Sequence, residues 1–317
     1  MLTYIARRML TMIPTLFGVS VLVFLIYHVV GDDPVYLYLG KNATLADIEA
    51  MRHAMGLDLP LWKQYLVGMK ELLTLDLGFS MSSQQKISDM FIEGVGPSIA
   101  LTMPALVLYS GVSIILGLVC AYWRGTMVDK MIIVGATIGM AISYVAVMIF
   151  GQYLLGYLPT EHGFRLFEIT GYERGIPRCL KYIVLPNLIS VFVALGYNTR
   201  FFRSVAVEEM SKDYIRTAKA YGAGTRTILF KHVLKNILLP IIARDVVTLP
   251  FLITGSFLLE SFFSIPGLGF KLLHAIQSAD FKVIKTFTML IALLVVITNT
   301  LADILSSLAD PRVKLES

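Results

Sequence analysis

The chain has 317 residues, of which 56% are hydrophobic and only 15% charged, against about 25% charged in an average soluble domain; that balance excludes a single solvated globule. The net charge of +5 does not point to nucleic acid, because most Lys and Arg residues sit in short loops beside apolar runs, where membrane insertion topology accounts for them. Cys120 and Cys179 lie in different segments without ligand-like spacing, which supports neither a disulfide framework nor a metal site, and both read as packing residues.

A crossing needs about 20 mostly apolar residues, since the hydrocarbon core is about 30 Å thick and each helical residue rises about 1.5 Å. The first run, Met9 to Val30, follows Arg7 and Arg8. It is too long for a signal-peptide core and no small-x-small cleavage site follows, so it reads as a retained helix. Further runs extend from Pro97 to Trp123, Met131 to Leu158, Tyr182 to Phe202, Asn236 to Leu259 and Ile284 to Leu308. The expectation is an all-α, polytopic membrane bundle of about six transmembrane helices. Lys and Arg place both termini and the segment 204–235 in the cytoplasm, while Gly31 to Gly96, with nine acids against five Lys or Arg, lies outside.

The organisation that follows is an N-terminus and first span over 1–30, an extracytoplasmic helical segment over 31–96, and a core of five spans over 97–317. The outer segment has helical punctuation. Thr44 and Asp47 form a capping-box pattern, Gly56 is a stop for a helix from Leu45 to Met55, and Pro60 opens a second helix with Trp62, Tyr65, Leu66 and Met69 at helical spacing. That layer either caps the bundle or docks a partner.

The cytoplasmic segment from Ser204 to Lys235 carries more pattern than a connector needs. Met210, Tyr214, Ala218 and Tyr221 make an apolar stripe, with Lys212, Arg216 and Lys219 on another face. Gly222 and Gly224 then permit a sharp turn before a second amphipathic run begins near Thr225. The predicted unit is helix, turn, helix.

Here the sequence resembles the B-type permeases of the dipeptide, oligopeptide and nickel class of ABC importers. The resemblance is carried by DYIRTAKAYG at Asp213 to Gly222 with His232 beyond it, and by GLDLPLWKQY at Gly56 to Tyr65, DLGFS at Asp76 to Ser80, ESFFSIPGLG at Glu260 to Gly269, DFKVIK at Asp280 to Lys285 and NTLADILSSLADPR at Asn299 to Arg312. It implies that the loop is the variant coupling loop whose short helix docks on an ATPase, with Asp213, Tyr214, Arg216, Thr217, Ala218, Ala220, Gly222 and His232 as the coupling set. It also implies a homologous C-type permease, two ATPase subunits and an extracytoplasmic substrate-binding protein as partners, alongside membrane lipid, in the inner membrane. The implied cargo is a dipeptide or oligopeptide, with nickel or a metal chelate as the alternative. The chain departs from the family pattern in its third span, where SYVAVMIFG at Ser143 to Gly151 lacks the proline of relatives and puts a proline-kinked gate in doubt.

No GxxxxGK[ST] phosphate loop occurs, so ATP and Mg are expected on the partner subunits and no cofactor on this chain. The five histidines never fall at i, i+4, and no GxSxG elbow is present, so no catalytic residue is assigned. Gly267 to Gly269 reads as a tight turn beside Pro266. An ion-driven carrier fits the composition but has no ATPase to dock. Arg244 and Asp245 lie about nine residues beyond Lys235, about 14 Å into the bilayer. Either one costs about 2.5–3.5 kcal/mol if it faces lipid. Arg244 is expected to pair with Asp303, and Asp245 to face the pathway or the second permease.

Overall fold

The computed structural model describes residues 2–29, 34–39, 43–164, 167–175 and 177–309, except for the side chains of 2–6, 27–29, 34, 37, 38, 250–255 and 305–309. Its helices are α1 (Leu2–Val29), α2 (Pro34–Leu39), α3 (Leu45–Ala54), α4 (Leu61–Thr74), α5 (Ile87–Tyr122), α6 (Met127–Ala141) and α7 (Tyr144–Gly151). A π-helical turn over Gln152–Tyr157 leads to α8 (Leu158–Glu161), and then come α9 (Leu180–Met210) and α10 (Asp213–Ala220). A second π-helical stretch, Thr227–Val233, runs into α11 (Leu234–Phe262), followed by α12 (Leu268–Gln277) and α13 (Phe281–Ala309). Among the described residues the only β pairing is an isolated bridge between Phe79 and Lys86. The protein is an all-α, polytopic membrane protein.

Among the described residues four helical segments are long and apolar enough to cross a bilayer: Arg7–Ile26 of α1, α5, α9 and Phe281–Ile304 of α13; α6 with Tyr144–Glu161 makes a fifth if the bent pair is one span. The remaining expected crossing, Asn236 to Leu259, falls within α11, whose 29 residues are about 43 Å long. The bend within the third crossing is 96°. It needs no proline: Ile142 and Ser143 are both extended, at ψ 131° and 134°, which interrupts the hydrogen-bond ladder. The chain re-enters a helix when the Val147 N–H donates to the Ser143 carbonyl at 3.0 Å. The missing family proline thus removes the usual cause of a kink and not the kink.

The chain forms two compact units. One comprises residues 1–98 and 266–300. In it Tyr65 of α4 packs on α1, with its ring edge-on to Phe17 and Phe24 and its hydroxyl 2.7 Å from Ser20 Oγ. Two of the family-like segments meet here. The buried Asp280 Oδ2 accepts from Ser80 Oγ at 2.6 Å, Ser82 Oγ at 3.0 Å and the Ser82 N–H at 3.1 Å. Burial alone would raise the Asp280 carboxyl, but these donors with the Val283 N–H leave it below the ordinary carboxylate range. Gly267 turns out to be the residue before α12, and the Leu268 N–H donates to Ser98 Oγ at 2.9 Å. The segment expected as a tight turn is therefore the capped start of a helix.

The other unit comprises residues 99–265 and 301–317. One apolar cluster joins Leu101, Met148, Leu185, Ile189, Leu259, Phe263 and Ile265. A second joins Leu118, Ala121, Phe202, Ala206, Ile215, Ile228, Val233, Ile237 and Ile241, and so ties α5, α9 and α11 to α10. Both Cys120 and Cys179 are buried free thiols.

Candidate functional site

α10 has eight residues, too short to be stable alone, so its position is fixed by tertiary contacts. Ile215 is fully buried in the cluster just described, which is worth about 1.5–3 kcal/mol of transfer free energy. Asp213 in the first turn and Lys219 in the last complement the helix dipole. The helix ends in a Schellman motif: the Gly222 N–H reaches the Lys219 carbonyl at 2.9 Å and the Ala223 N–H the Ala218 carbonyl at 3.0 Å. Gly222 has φ +80°, with open space where a Cβ would stand. The requirement for glycine there is conformational and not steric crowding.

A polar knot fixes the other side of α10. Glu209, at the end of α9 and buried, accepts from the Tyr214 hydroxyl, from Asn236 Nδ2 at 3.0 Å and from Lys212 Nζ at 2.5 Å. Asn236 Nδ2 also donates to the Tyr214 hydroxyl at 2.7 Å. Burial, then the bond to the Glu209 carboxylate, raises the Tyr214 hydroxyl above its ordinary pKa. His232 lies beside Tyr214, ring centroids 6.4 Å apart. One short helix is thereby tied to the end of α9 and the start of α11.

The expected stripe does not form one outward face. Met210 packs against the permease core, Ala218 is half-buried, and Tyr214 turns its hydroxyl back to Glu209. The register is set by Ile215, which the stripe omitted. With Ile215 inward, Asp213, Arg216, Thr217 and Ala220 lie on the opposite side of the helix and are all exposed. Tyr221 projects beyond the helix end at 86% exposure. The presented surface is mixed polar, with an aromatic at one edge.

Sequence reasoning also missed Asp129 and Arg203. Arg203 Nε and Nη2 reach the two Asp129 oxygens at 2.6 and 2.7 Å, and the Gly125 N–H donates to Asp129 Oδ2 at 2.9 Å. This fork-to-fork pair fastens the start of α6 to the late part of α9, one turn and a half before Glu209. Asp129 lies two residues before the predicted run that begins at Met131, and nothing in the sequence marked it.

The intramembrane charges have partners that the sequence did not indicate. Arg244 sets its guanidinium carbon 4.1 Å over the Phe201 ring, a cation–π contact, and the ion pairs among the described residues do not join it to Asp303. Adjacent on the helix, Asp245 Oδ2 accepts from Ser110 Oγ at 2.6 Å, while Thr248 Oγ1 donates to the Asp245 carbonyl at 2.7 Å and lies 3.4 Å from the Tyr109 hydroxyl. A planar cation finds an aromatic face as readily as a carboxylate, and α9 supplies one at that level.

The sequence that builds this polytopic bundle and its anchored two-turn helix is similar to known proteins. A family model described as a binding-protein-dependent transport system inner membrane component matches residues 113–315. The model for the N-terminal part of such components matches residues 1–96. The chain belongs to this family. It is 31% identical to the dipeptide transport system permease protein of Alkalihalophilus pseudofirmus, over 99% of this chain and 100% of that protein. It is 31% identical to a glutathione transport system permease protein of Escherichia coli O6:H1, over 99% of both chains. The glutathione transport system permease protein of Shigella flexneri serotype 5b is 30% identical over the same shares. The chain is thus a permease subunit of an ABC importer.

Proposed function

We propose that this permease forms, with a homologous second permease, the pathway by which short peptides enter the cell. Two partner ATPases bind ATP and Mg, and an extracytoplasmic binding protein delivers the cargo. Both termini and residues 204–235 face the cytoplasm, which the distribution of Lys and Arg supports. The peptide cargo rests on the named dipeptide and glutathione permeases among the relatives. The observation that carries the coupling role is the anchoring of α10. A helix fixed through Ile215 and Glu209 to α5, α9 and α11 passes a displacement of its exposed Asp213, Arg216, Thr217 and Ala220 face directly to three crossings. ATP-driven closure of the ATPases would supply that displacement, and the pathway would open alternately to each side.

The test is Gly222→Val. At φ +80° a β-branched residue is strained by about 1–3 kcal/mol, the turn reorganises, and the six crossings stay inserted. The expected variant is membrane-resident, with partner ATPases that bind weakly or hydrolyse ATP without import. Wild-type peptide uptake at normal expression would remove α10 as the coupling element. Uptake driven by an ion gradient in membranes free of the ATPases would replace the importer reading altogether.

A further inference from the structure

The outer helix α4 exposes Trp62 (61%), Leu66 (56%) and Leu73 (78%), a surface that a helix standing in water would not keep. At about 100° per residue, Leu72, Tyr65, Met69, Trp62, Leu73 and Leu66 fill one continuous apolar arc of about 120°. Tyr65 faces α1, so the protein covers one edge of the arc and leaves the other open. The next positions round the helix are Lys70 and Lys63, then Thr74, all exposed. Lys63 Nζ sits 5.4 Å from the Trp62 ring centroid.

Two contacts place α4 below the ends of two crossings. Tyr65 bonds to Ser20, ten residues before the end of the apolar run Met9 to Val30, about 15 Å inside it along the helix. Gly68 abuts Lys285, whose Nζ lies 3.3 Å from where a Gly68 Cβ would stand. Lys285 is four residues into the crossing that begins at Phe281, about 6 Å deep. Interfacial amphipathic helices bury their apolar face about 5–10 Å below the headgroup boundary. A docking surface for a soluble protein would instead stand clear of both crossings.

We propose that α4 is a membrane-interface helix, with Trp62, Leu66 and Leu73 in the lipid and Lys63 and Lys70 at the level of the lipid phosphates. Trp and Lys are the residues that hold such a depth, one by its amphipathic ring and the other by a stem lying in the apolar layer beneath a solvated amine. The occupant of the open edge is therefore lipid, and the outer segment is anchored by it. That the leaflet is the outer one rests on the orientation given above; the depth does not.

The test places spin labels singly at Leu66→Cys, Leu73→Cys, Lys63→Cys and Thr74→Cys in the full chain, assembled with its second permease in phosphatidylethanolamine–phosphatidylglycerol nanodiscs. All four sites are exposed, and the native cysteines are buried. Collision with oxygen, which partitions into lipid, is compared with collision with a water-soluble nickel chelate. The oxygen-to-nickel ratio is expected to be several-fold higher at 66 and 73 than at 63 and 74. Equal ratios at the four sites would overturn the proposal, as would protection of 66 and 73 from both reagents, the signature of a covering protein. Quencher partition reads depth and not transport, so loss of the peptide-import reading would leave this result standing.

Discussion

Both α3 and α10 stop at a glycine with positive φ, Gly56 at 66° and Gly222 at 80°, and both close with the same pair of bonds. In α3 the Gly56 N–H reaches the His53 carbonyl at 3.0 Å and the Leu57 N–H the Arg52 carbonyl at 2.9 Å. Their other ends differ. α3 begins with a capping box between Thr44 and Asp47 and buries no residue. α10 has no side-chain cap at Lys212 and buries Ile215 completely. Local bonds hold α3, whereas α10 is held by the core it packs on. If α10 is the coupling element proposed above, this matters: a helix secured only by its caps would fray under load, while one secured through a core shared with α5, α9 and α11 would transmit it.

The sharpest way to break that contrast is Ile215→Ala. Truncating a fully buried isoleucine costs about 2–5 kcal/mol, more than a two-turn helix can replace from its own bonds. Hydrogen exchange at the amides of 215–221 should rise by at least tenfold, with α3 unchanged and the crossings intact, and ATP hydrolysis should lose its link to uptake. If those amides kept their protection, the anchor would lie elsewhere, and the polar knot at Glu209 would be the place to look.

What the sequence made legible follows the same division. The capping box at Thr44, the stop at Gly56 and the turn at Gly222 act within six residues, so residue type at fixed spacing reveals them. The crossings were legible because length and apolarity are set by the bilayer and not by partners. Ile215 was hidden because the apolar stripe drawn through Tyr214 and Tyr221 assumed that an aromatic faces outward with its neighbours, while the hydroxyl of Tyr214 gave it a polar partner inside. Glu209 with Asn236, Asp129 with Arg203 and Ser80 with Asp280 join residues 27, 74 and 200 positions apart, and no periodicity marks such pairs. Arg244 illustrates the same limit: charge complementarity named Asp303, and nothing in the spacing pointed to its contact with Phe201.

Asp280 offers a smaller effect that sharpens the comparison on the outer side. Its carboxylate gathers donors from Ser80, Ser82 and Val283, and removing it as Asp280→Ala strands them at about 1–3 kcal/mol. Because the native pKa is lowered, the stabilisation is complete above the unfolded value of about 3.9 and is lost as pH falls through the native one. The melting difference between wild type and Asp280→Ala should hold steady from neutral pH to about pH 5 and shrink below about pH 4. A difference that persisted unchanged into stronger acid would mean that the ionised carboxylate is not what those donors hold.

The smallest expected effect is at Thr44. Thr44→Ala removes the acceptor for the Asp47 N–H, 3.3 Å from Thr44 Oγ1, and the hydroxyl that donates to Asp47 Oδ2 at 2.5 Å, at a cost of about 1 kcal/mol. Because α3 buries nothing, that loss falls on α3 alone: exchange should quicken by several-fold at the amides of 45–50 and stay as it was in α4, where Tyr65 is pinned to α1. Transport should be unaffected, since neither described anchor of α10, Ile215 or Glu209, lies on this helix. Quickened exchange spreading into α4 would show instead that the outer segment folds as one cooperative piece, and that local caps carry more of the molecule than the contrast between α3 and α10 allows.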